Sequence, residues 1–190
     1  MAENLAYELE ENKTYTGVVN NTGEEVTFNT GSTCDTNGTC MLNGNTICNT
    51  NSSGKKRCWY SWEAAVAGSG DYSTTHTVPN SICPKNWRLP ANYTENSSKS
   101  YCAIASAYGI SCSRIMSDYT AYWEKFPFSF TRNGFYNSGS LGSDGYDGTY
   151  WSSTPYSSTQ AYHFNYREPY TFAQNVSNKW YGMNIRCVYV

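Results

Sequence analysis

The sequence of 190 residues is poor in the aliphatic side chains that usually fill a protein core. Leu, Ile, Val and Phe together number 26, and nowhere do eighteen apolar residues follow one another, which argues against a membrane-spanning helix. So low an apolar content is typical of disorder when the net charge is large, but here the net charge is −2. We therefore expect a folded domain with an aromatic core, built from the 6 Trp and 18 Tyr.

Charged and histidine side chains are also scarce. The charged fraction is 15%, and the one basic run, Lys55–Arg57, is short and lies beside a cysteine, so we expect no nucleic-acid partner. The two histidines, His76 and His163, have no nucleophile and acid nearby in a catalytic order. They also lack cysteine partners at zinc-site spacing. The sequence predicts no enzyme, no metal site and no cofactor.

The first residues do not form a signal peptide, because Met1–Asn4 has no basic region and no apolar stretch follows it. The chain nevertheless holds eight cysteines in a loop-rich, Asn/Ser/Thr-rich setting, which favours disulfides and an oxidising compartment. We interpret it as a trimmed ectodomain, extracellular or at a cell surface, with any membrane anchor outside this sequence. A cytosolic protein with free thiols is the alternative.

The pairing of the eight cysteines is not fixed by the sequence, since eight cysteines allow 105 connectivities. Short intervals favour three pairs because closing a small loop costs little entropy, and this choice leaves two cysteines over. The three favoured pairs are Cys34–Cys40, Cys48–Cys58 and Cys102–Cys112. The two cysteines that remain are Cys83 and Cys187.

The pattern along the chain predicts an α+β domain. Strand-like Thr14–Asn20 and Glu25–Asn29 flank an Asn-Thr-Gly turn and indicate a hairpin. The composition of 31–57 predicts an irregular loop region that is crosslinked by disulfides. Apolar spacing predicts helices over 58–68, 96–112 and about Ser117–Lys125. From Pro127 onward four segments are strand-like, in the stretches 128–136, 148–154, 160–167 and 183–190. We expect one domain, 1–190, divided into N-terminal strands and loop (1–57) and a core (58–190).

Four segments resemble a known family. ICPKNWRLP (82–90), GTYWSST (148–154), AYHFNY (161–166) and YGMNIRCV (181–188) are similar in order and spacing to blocks of the Fibrobacter succinogenes major paralogous domain, a C-type-lectin-like family of secreted and surface proteins. The similarity spans about 81–190, with a looser match at YSWEAAVAGS further upstream. The resemblance implies a C-type lectin fold with two short helices and a mostly antiparallel twisted sheet. It also implies a disulfide between Cys83 and Cys187.

The same blocks resemble the variable proteins of diversity-generating retroelements. The shared features are YWSS, a following Ala and the pattern GxxxRC (182–187). In those proteins, mutation of adenines in the codons yields a set of amino-acid types close to the set found in this sequence. Formylglycine-generating enzymes share the broader fold, but they need paired late cysteines, and Cys187 is the sole cysteine after Cys112. The lectin Glu-Pro-Asn and Trp-Asn-Asp calcium motifs are missing. The Asp144–Asp147 segment is interpreted as a solvated turn, with a Ca²⁺ contact as the alternative.

The C-terminal stretch 148–190 has the composition of a recognition surface. It holds seven Tyr and few charges, and Tyr supplies rigid contact area while Ser and Asn supply adaptable hydrogen bonds. Solvent-facing strands are the simpler explanation of the same composition. We predict a flat face with few deep pockets that binds a protein or glycan partner. Its predicted residues are Tyr156, Tyr166, Glu168, Tyr170, Asn175, Asn178, Lys179, Trp180 and Tyr181.

Other residues of this stretch are predicted to support the face rather than to bind. Trp151 should point into the core, with Ser152 and Ser153 bonded to neighbouring backbone, and Arg186 should make a fixed, partly buried contact. The residues expected to be buried beneath the face are Ala161, Phe164, Ile185 and Val188. The resulting hypothesis is a non-enzymatic recognition domain, with a structural or adhesive ectodomain, a fibre tip or stalk, as the alternative.

Overall fold

Short, mostly antiparallel strands dominate the structure, a computed structural model. It describes residues 4, 6, 14–19, 25–29, 33–34, 40–42, 46–68, 78, 80–92, 100–107, 109, 115–117, 123–125 and 129–189. Within these ranges two short helices accompany the strands, and the paired strands are antiparallel. The predicted mixture of few helices with antiparallel sheet is confirmed. Neither of these two helices has the length and apolarity needed to cross a membrane.

The predicted N-terminal hairpin is confirmed. Strands β1 (Thr14–Val19) and β2 (Glu25–Asn29) pair antiparallel, and the residues of the predicted turn lie outside the described part of the chain. The far end of β1 pairs in turn with β7 (Asn80–Ser81), which extends the hairpin to a three-stranded sheet. The N-terminal hairpin is therefore joined by backbone hydrogen bonds to the segment that precedes Cys83.

The region predicted to be irregular, 31–57, instead holds two further hairpins. Their strands are β3 (Thr33–Cys34), β4 (Cys40–Leu42), β5 (Thr46–Thr50) and β6 (Lys56–Tyr60). Cys48 and Cys58 face each other across β5 and β6 and are joined by a disulfide with a Cα–Cα distance of 4.2 Å. At the turn, the Asn51 side chain accepts backbone hydrogen bonds from Ser53 and Lys55. The prediction was wrong because turn-forming and strand residues alternate here at very short range.

The first helix is shorter than predicted. Helix α1 comprises only Trp62–Ala65, whereas Cys58–Tyr60 belongs to strand β6. Ser61 ends the strand and caps the helix, because its hydroxyl accepts a hydrogen bond from the Ala64 amide at 3.2 Å. The three-residue interval between Trp59 and Trp62 therefore reflects a strand followed by a helix and not one helical face.

The second helix lies inside its predicted range, and most of the third lies outside the described residues. Helix α2 is Tyr101–Ala107, with the Ser100 hydroxyl accepting from the Ala103 amide at its start. The third helix was predicted to begin near Ser117, but that residue ends strand β9 (Ile115–Ser117). Residues 118–122 lie outside the described ranges, and helical backbone is seen at 123–124.

The central sheet has four strands in the order β12-β13-β14-β9. Strand β12 is Gly148–Pro155, β13 is Gln160–Arg167 and β14 is Tyr170–Asn178. The first two strands were predicted, whereas β14 was not. Two smaller pairs border this sheet, namely β10 (Phe135–Asn137) with β11 (Ser140–Gly142), and β8 (Trp87–Arg88) with β15 (Val188–Tyr189).

The core is aromatic, as predicted, and divides into two clusters. The α1 cluster includes Trp62, Trp151, Met183 and Ile185. The α2 cluster packs helix α2 against the central sheet through Tyr101, Trp123, Phe130, Tyr150, Phe164 and Tyr166. Within it, the Phe164 ring centroid lies 4.8 Å from that of Tyr101 and 4.6 Å from that of Trp123. Aromatic rings in stacked and edge contact thus replace the missing aliphatic side chains.

Two of the predicted disulfides are present. Cys48 is bonded to Cys58, and Cys83 is bonded to Cys187 across 104 residues. Cys34 and Cys40 are paired in the β3–β4 register, although their side chains lie outside what the structure describes. Cys102 is also disulfide-bonded, and its predicted partner Cys112 falls outside the described residues.

Candidate functional site

A cavity of about 560 Å³ opens on one face of the central sheet. We call it the sheet groove. It is lined by Phe135, Ser143, Asp147, Thr149, His163, Asn165, Arg167, Phe172, Gln174, Asn175, Ser177, Tyr181 and Met183. The strands β12, β13 and β14 form its floor, while the β10–β11 hairpin and residues 181–183 border it. The face between the predicted residues is therefore concave and not flat.

Strand alternation places the polar residues of β13 in the sheet groove. Side chains of successive strand residues point to opposite faces, so His163, Asn165 and Arg167 line the groove while Phe164 and Tyr166 enter the α2 cluster. On β14 the register shifts by one residue, because His163 faces Asn175 but Asn165 faces Phe172. This bulge lets both Gln174 and Asn175 border the groove.

Three polar side chains at the groove floor are nearly covered by protein. Asp147 is 7% exposed, His163 4% and Asn165 6%. Within the described part of the chain, none of these three side chains has a hydrogen-bond or ionic partner, and Nδ1 of His163 is itself buried without one. Buried polar groups are nearly always hydrogen-bonded in folded proteins, so these three groups are available to a molecule in the groove.

The imidazole of His163 stays uncharged. Burial without a nearby anion disfavours the protonated form and lowers its pKa to about 3. Its ring is held edge-on to the indole of Trp151, with centroids 6.0 Å apart. The groove therefore presents a fixed, neutral imidazole at ordinary pH.

The two carboxylates of the Asp144–Asp147 turn have different surroundings. Asp144 is exposed and forms a two-point ion pair with Arg57, with distances of 2.7 and 3.2 Å. Asp147, in contrast, is buried and lines the groove. The solvated-turn interpretation fits Asp144 and is wrong for Asp147. Across the described ranges, no group of three or more His, Cys, Asp or Glu side chains is placed to hold a metal ion.

Aromatic rings form part of the groove wall. Phe135 and Tyr181 lie nearly parallel, at an interplanar angle of 16° and a centroid distance of 6.0 Å. Arg167 places its guanidinium over the ring of Phe172, 5.8 Å from the centroid. The groove thus combines apolar ring surfaces with amide, hydroxyl and carboxylate groups, the mixture that small ligand sites and recognition surfaces share.

The nine predicted site residues have different exposures. Tyr156, Glu168, Tyr170 and Asn175 are exposed, and Asn178, Trp180 and Tyr181 are half-buried. Tyr166 and Lys179 are buried, so the expectation that these two lie on the surface was wrong.

The burial of Tyr166 and Lys179 has identifiable causes. Gly148 stands opposite Tyr166 in the register, and a Cβ at that position would lie 1.9 Å from the Tyr166 ring. The glycine therefore leaves room for the ring to pack into the core. Lys179 lies against α1, with its ammonium 4.5 Å from the centroid of the Trp62 ring and bonded to the Ser158 carbonyl oxygen at 3.2 Å.

The seven predicted residues that are exposed or half-buried do not form one patch. Tyr156, Asn178 and Trp180 lie at the end of the sheet where Gln160 pairs with Asn178, while Glu168 and Tyr170 flank the opposite end. Seven residue steps of strand separate these ends, about 23 Å. Asn175 and Tyr181 are the two predicted residues that line the sheet groove.

Sequence reasoning missed most of the groove. The missed side chains include Asp147, His163, Asn165, Arg167, Phe172 and Gln174. For β13 a signal was present, since polar residues 163, 165 and 167 alternate with aromatic residues 162, 164 and 166. For β14 the bulge interrupts that alternation, and no comparable pattern exists.

The predicted supporting residues have the expected surroundings. Trp151 is fully buried, and its indole nitrogen donates to the Tyr60 carbonyl oxygen at 2.7 Å. The hydroxyls of Ser152 and Ser153 donate to the backbone oxygens of Tyr162 and Pro90. These placements are confirmed.

Arg186 and the residues expected beneath the face also match, with one exception. Arg186 is buried, donates to the Ser129 carbonyl oxygen at 2.6 Å and lies 4.5 Å from the Phe130 ring centroid. The residues Ala161, Phe164 and Ile185 are fully buried, whereas Val188 is half-buried. The predicted burial of Val188 is therefore only partly met.

A second cavity, of about 280 Å³, is lined by Lys55, Lys56 and Arg57 together with Asn4 and neighbouring residues. Its Arg57 is already committed to Asp144. The larger sheet groove, with its buried polar floor, is the better candidate site.

In comparisons with known proteins, no family model, no curated protein and no solved structure matches this chain.

Proposed function

We propose that this protein is a non-enzymatic recognition domain that binds a partner at a cell surface through the sheet groove and its rim. The observation that carries the proposal is the groove itself. Nearly covered polar side chains without described partners line one face of a hydrogen-bonded sheet, and aromatic rings border them. Such a rigid floor with adaptable amides at its edge suits binding without large rearrangement.

The proposal includes a C-type-lectin-like fold. Its support is the order of the four sequence blocks, together with a late antiparallel sheet, two short helices and the Cys83–Cys187 bridge. The proposed location is extracellular or at a cell surface, since two disulfides are characteristic of oxidising compartments.

The proposal also includes a diversified origin for the groove. Asn165, Asn175, Ser177 and Tyr181 line it, and their three residue types, Asn, Ser and Tyr, all belong to the set that adenine mutation produces. The genomic neighbourhood tests this part. We expect a reverse transcriptase gene and a near-copy of the 3′ end, with adenine mismatches at groove-lining codons and not at those of Trp151 or Phe164. A near-copy with mismatches spread evenly over core and groove would contradict it.

Binding itself is tested with fluorescent tetramers of the domain, applied to bacterial and mammalian cells and measured by flow cytometry. We expect binding to some surfaces, and we expect the double variant Arg167→Ala/Gln174→Ala to weaken it about tenfold or more, the ratio that corresponds to about 1.4 kcal/mol. Lys85→Ala is the matched control, because it removes an exposed cation that does not line the groove. Equal binding by the double variant and the parent would refute the proposal.

A further inference from the structure

The floor of the sheet groove defines the chemistry of what binds there. This inference rests on the proposed recognition function and adds the class of ligand to it. Its starting point is the set of three side chains Asp147, His163 and Asn165, each at least nine-tenths buried and each lining the groove. Within the described residues their polar ends have no protein partner, and Nδ1 of His163 is fully buried, so a partner for these three side chains has to come from the groove.

Asp147 is an acceptor that needs donors. A carboxylate offers lone-pair sites to donors, about four when it is ionised, and that of Asp147 lines the groove without a described partner. Asp144 in the same turn shows the alternative, since it is paired with Arg57. The carboxylate of Asp147 therefore calls for hydroxyl or amine hydrogens from a bound molecule.

His163 is a donor at the same floor. The ring is neutral, so one of its two nitrogens carries the proton. Nδ1 is buried without a partner, and a buried N–H without an acceptor is rare in native structures, more so than an unpaired acceptor. The proton therefore belongs on Nε2, and His163 needs an acceptor oxygen. Asn165 adds an amide that both donates and accepts.

These hydrogen-bonding requirements distinguish the classes of ligand that the groove could bind. A cation satisfies Asp147 but offers no acceptor to His163 or Arg167, and an anion satisfies those donors but is repelled by Asp147. Asp147 and His163 lie about four strand residues apart along the sheet, roughly 13 Å. An oligosaccharide bears hydroxyls that donate and accept along its whole length, and the C–H face of a sugar suits the aromatic wall of Phe135 and Tyr181. We propose that the groove floor is a saccharide subsite that binds a neutral oligosaccharide directly through Asp147, His163 and Asn165, with different sugar units at Asp147 and at His163.

The volume agrees with this assignment. A cavity of about 560 Å³ lies within the range of small-molecule sites, about 300–1,000 Å³. The remaining groove, toward Gln174 and Ser177, carries uncharged polar groups that suit a continuing glycan chain. Arg167, exposed over Phe172, then borders the entrance.

The test is a printed array of bacterial and mammalian glycans, probed with fluorescent tetramers in excess EDTA. We expect binding to at least one neutral saccharide in the presence of EDTA. Asp147→Ala and His163→Phe should each weaken it at least about tenfold, the ratio that corresponds to about 1.4 kcal/mol. Asp144→Ala, which removes the same charge from the same turn outside the groove, should leave it unchanged. Thermal melting of each variant confirms that the variant is folded.

A second measurement separates failure of this inference from failure of the proposed function. Cells bound by the tetramers are treated with periodate, which cleaves vicinal diols, or with protease. Loss of binding after periodate supports the saccharide subsite. Groove-dependent binding that withstands periodate and is lost after protease overturns the subsite and leaves the recognition function standing. Array binding that requires calcium, or that Asp144→Ala weakens as much as Asp147→Ala, also overturns it.

Discussion

The two faces of strand β13 use the same backbone for opposite purposes. Phe164 and Tyr166 point into the α2 cluster and are fully buried, while His163, Asn165 and Arg167, one residue away in each case, line the sheet groove. A similar division separates the tyrosines of this region, since Tyr150 is buried and hydrogen-bonded to the Thr131 backbone, and others are exposed. A high tyrosine content therefore describes two different populations.

The difference teaches that the position of an aromatic residue within its strand, more than its frequency, decides its role. Tyr150 and Tyr166 belong to the scaffold, whereas Tyr156 and Tyr170 are 47% and 46% exposed. In an aliphatic-poor chain the core draws on the same residue types as a recognition surface. The predictions below compare matched residues from the two populations, starting with the largest expected effect.

Replacing a buried ring should unfold much of the scaffold. We expect Trp151→Ala to lower the free energy of unfolding by about 3–5 kcal/mol, because it leaves a cavity and removes the hydrogen bond to Tyr60. Trp180→Ala is the matched control, since Trp180 is half-buried at the sheet end. Urea unfolding of both variants checks this. Comparable losses for the two tryptophans would show that the division into buried and open populations is wrong.

Removing the long-range disulfide should weaken the scaffold without touching the groove lining. Cys187→Ser opens the bond to Cys83 that closes a loop of 104 residues. We expect a loss of about 2–5 kcal/mol, as is typical of a native disulfide. Thermal and urea unfolding of the variant and of the reduced parent should agree. An unchanged midpoint in both would mean that packing alone holds the last strand.

Exposed aromatic residues should affect binding and leave stability unchanged. Tyr170→Ala and Trp180→Ala are each expected to weaken binding by about 2 kcal/mol, the scale of a hot-spot residue. For Tyr170→Ala the free energy of unfolding should change by no more than about 0.5 kcal/mol, because Tyr170 is exposed. Cell binding and melting are measured in parallel. A Tyr170 variant that melts early but binds normally would move Tyr170 into the scaffold population.

The groove histidine should leave a signature in the pH dependence of stability. His163 has a folded pKa of about 3 against an ordinary value of 6.5. The unfolded chain therefore binds one more proton between these pH values, and stability falls as the pH falls through this window. The contribution is about 1.4 kcal/mol per pH unit. Urea unfolding from pH 6.5 down to pH 4 should show a shallower decline for His163→Phe than for the parent. Parallel declines would place the imidazole in solvent.

Much of the scaffold was predictable because its signals are local. The N-terminal hairpin, helix α2 and strands β12 and β13 have clear periodicity, and the burial of Trp151 followed from its place in a strand. Strand β14 was not predictable, since its bulge opposite residues 163–165 interrupts the two-residue pattern. The β5–β6 hairpin was hidden because its turn and strand residues have a loop-like composition.

The candidate site was less predictable than the scaffold because it depends on strand order and on distance. Composition alone identified Tyr166 and Lys179, but Gly148 opposite Tyr166 and Trp62 beneath Lys179 are contacts between segments far apart in sequence. The groove floor likewise needs Asp147 to meet residues of β13. Contacts between segments so far apart in sequence depend on the fold, whereas the alternation of polar residues in β13 is present in the sequence itself.

The bond between Cys83 and Cys187 also sets a mechanical property of the molecule. Strands β12, β13 and β14, which carry the groove floor, lie entirely within the covalent loop that this bond closes. A pulling force applied to the chain on both sides of the loop passes through the sulfur atoms and bypasses residues 84–186. While the bond is oxidised, tension applied to the two flanking segments does not stretch the strands of the groove.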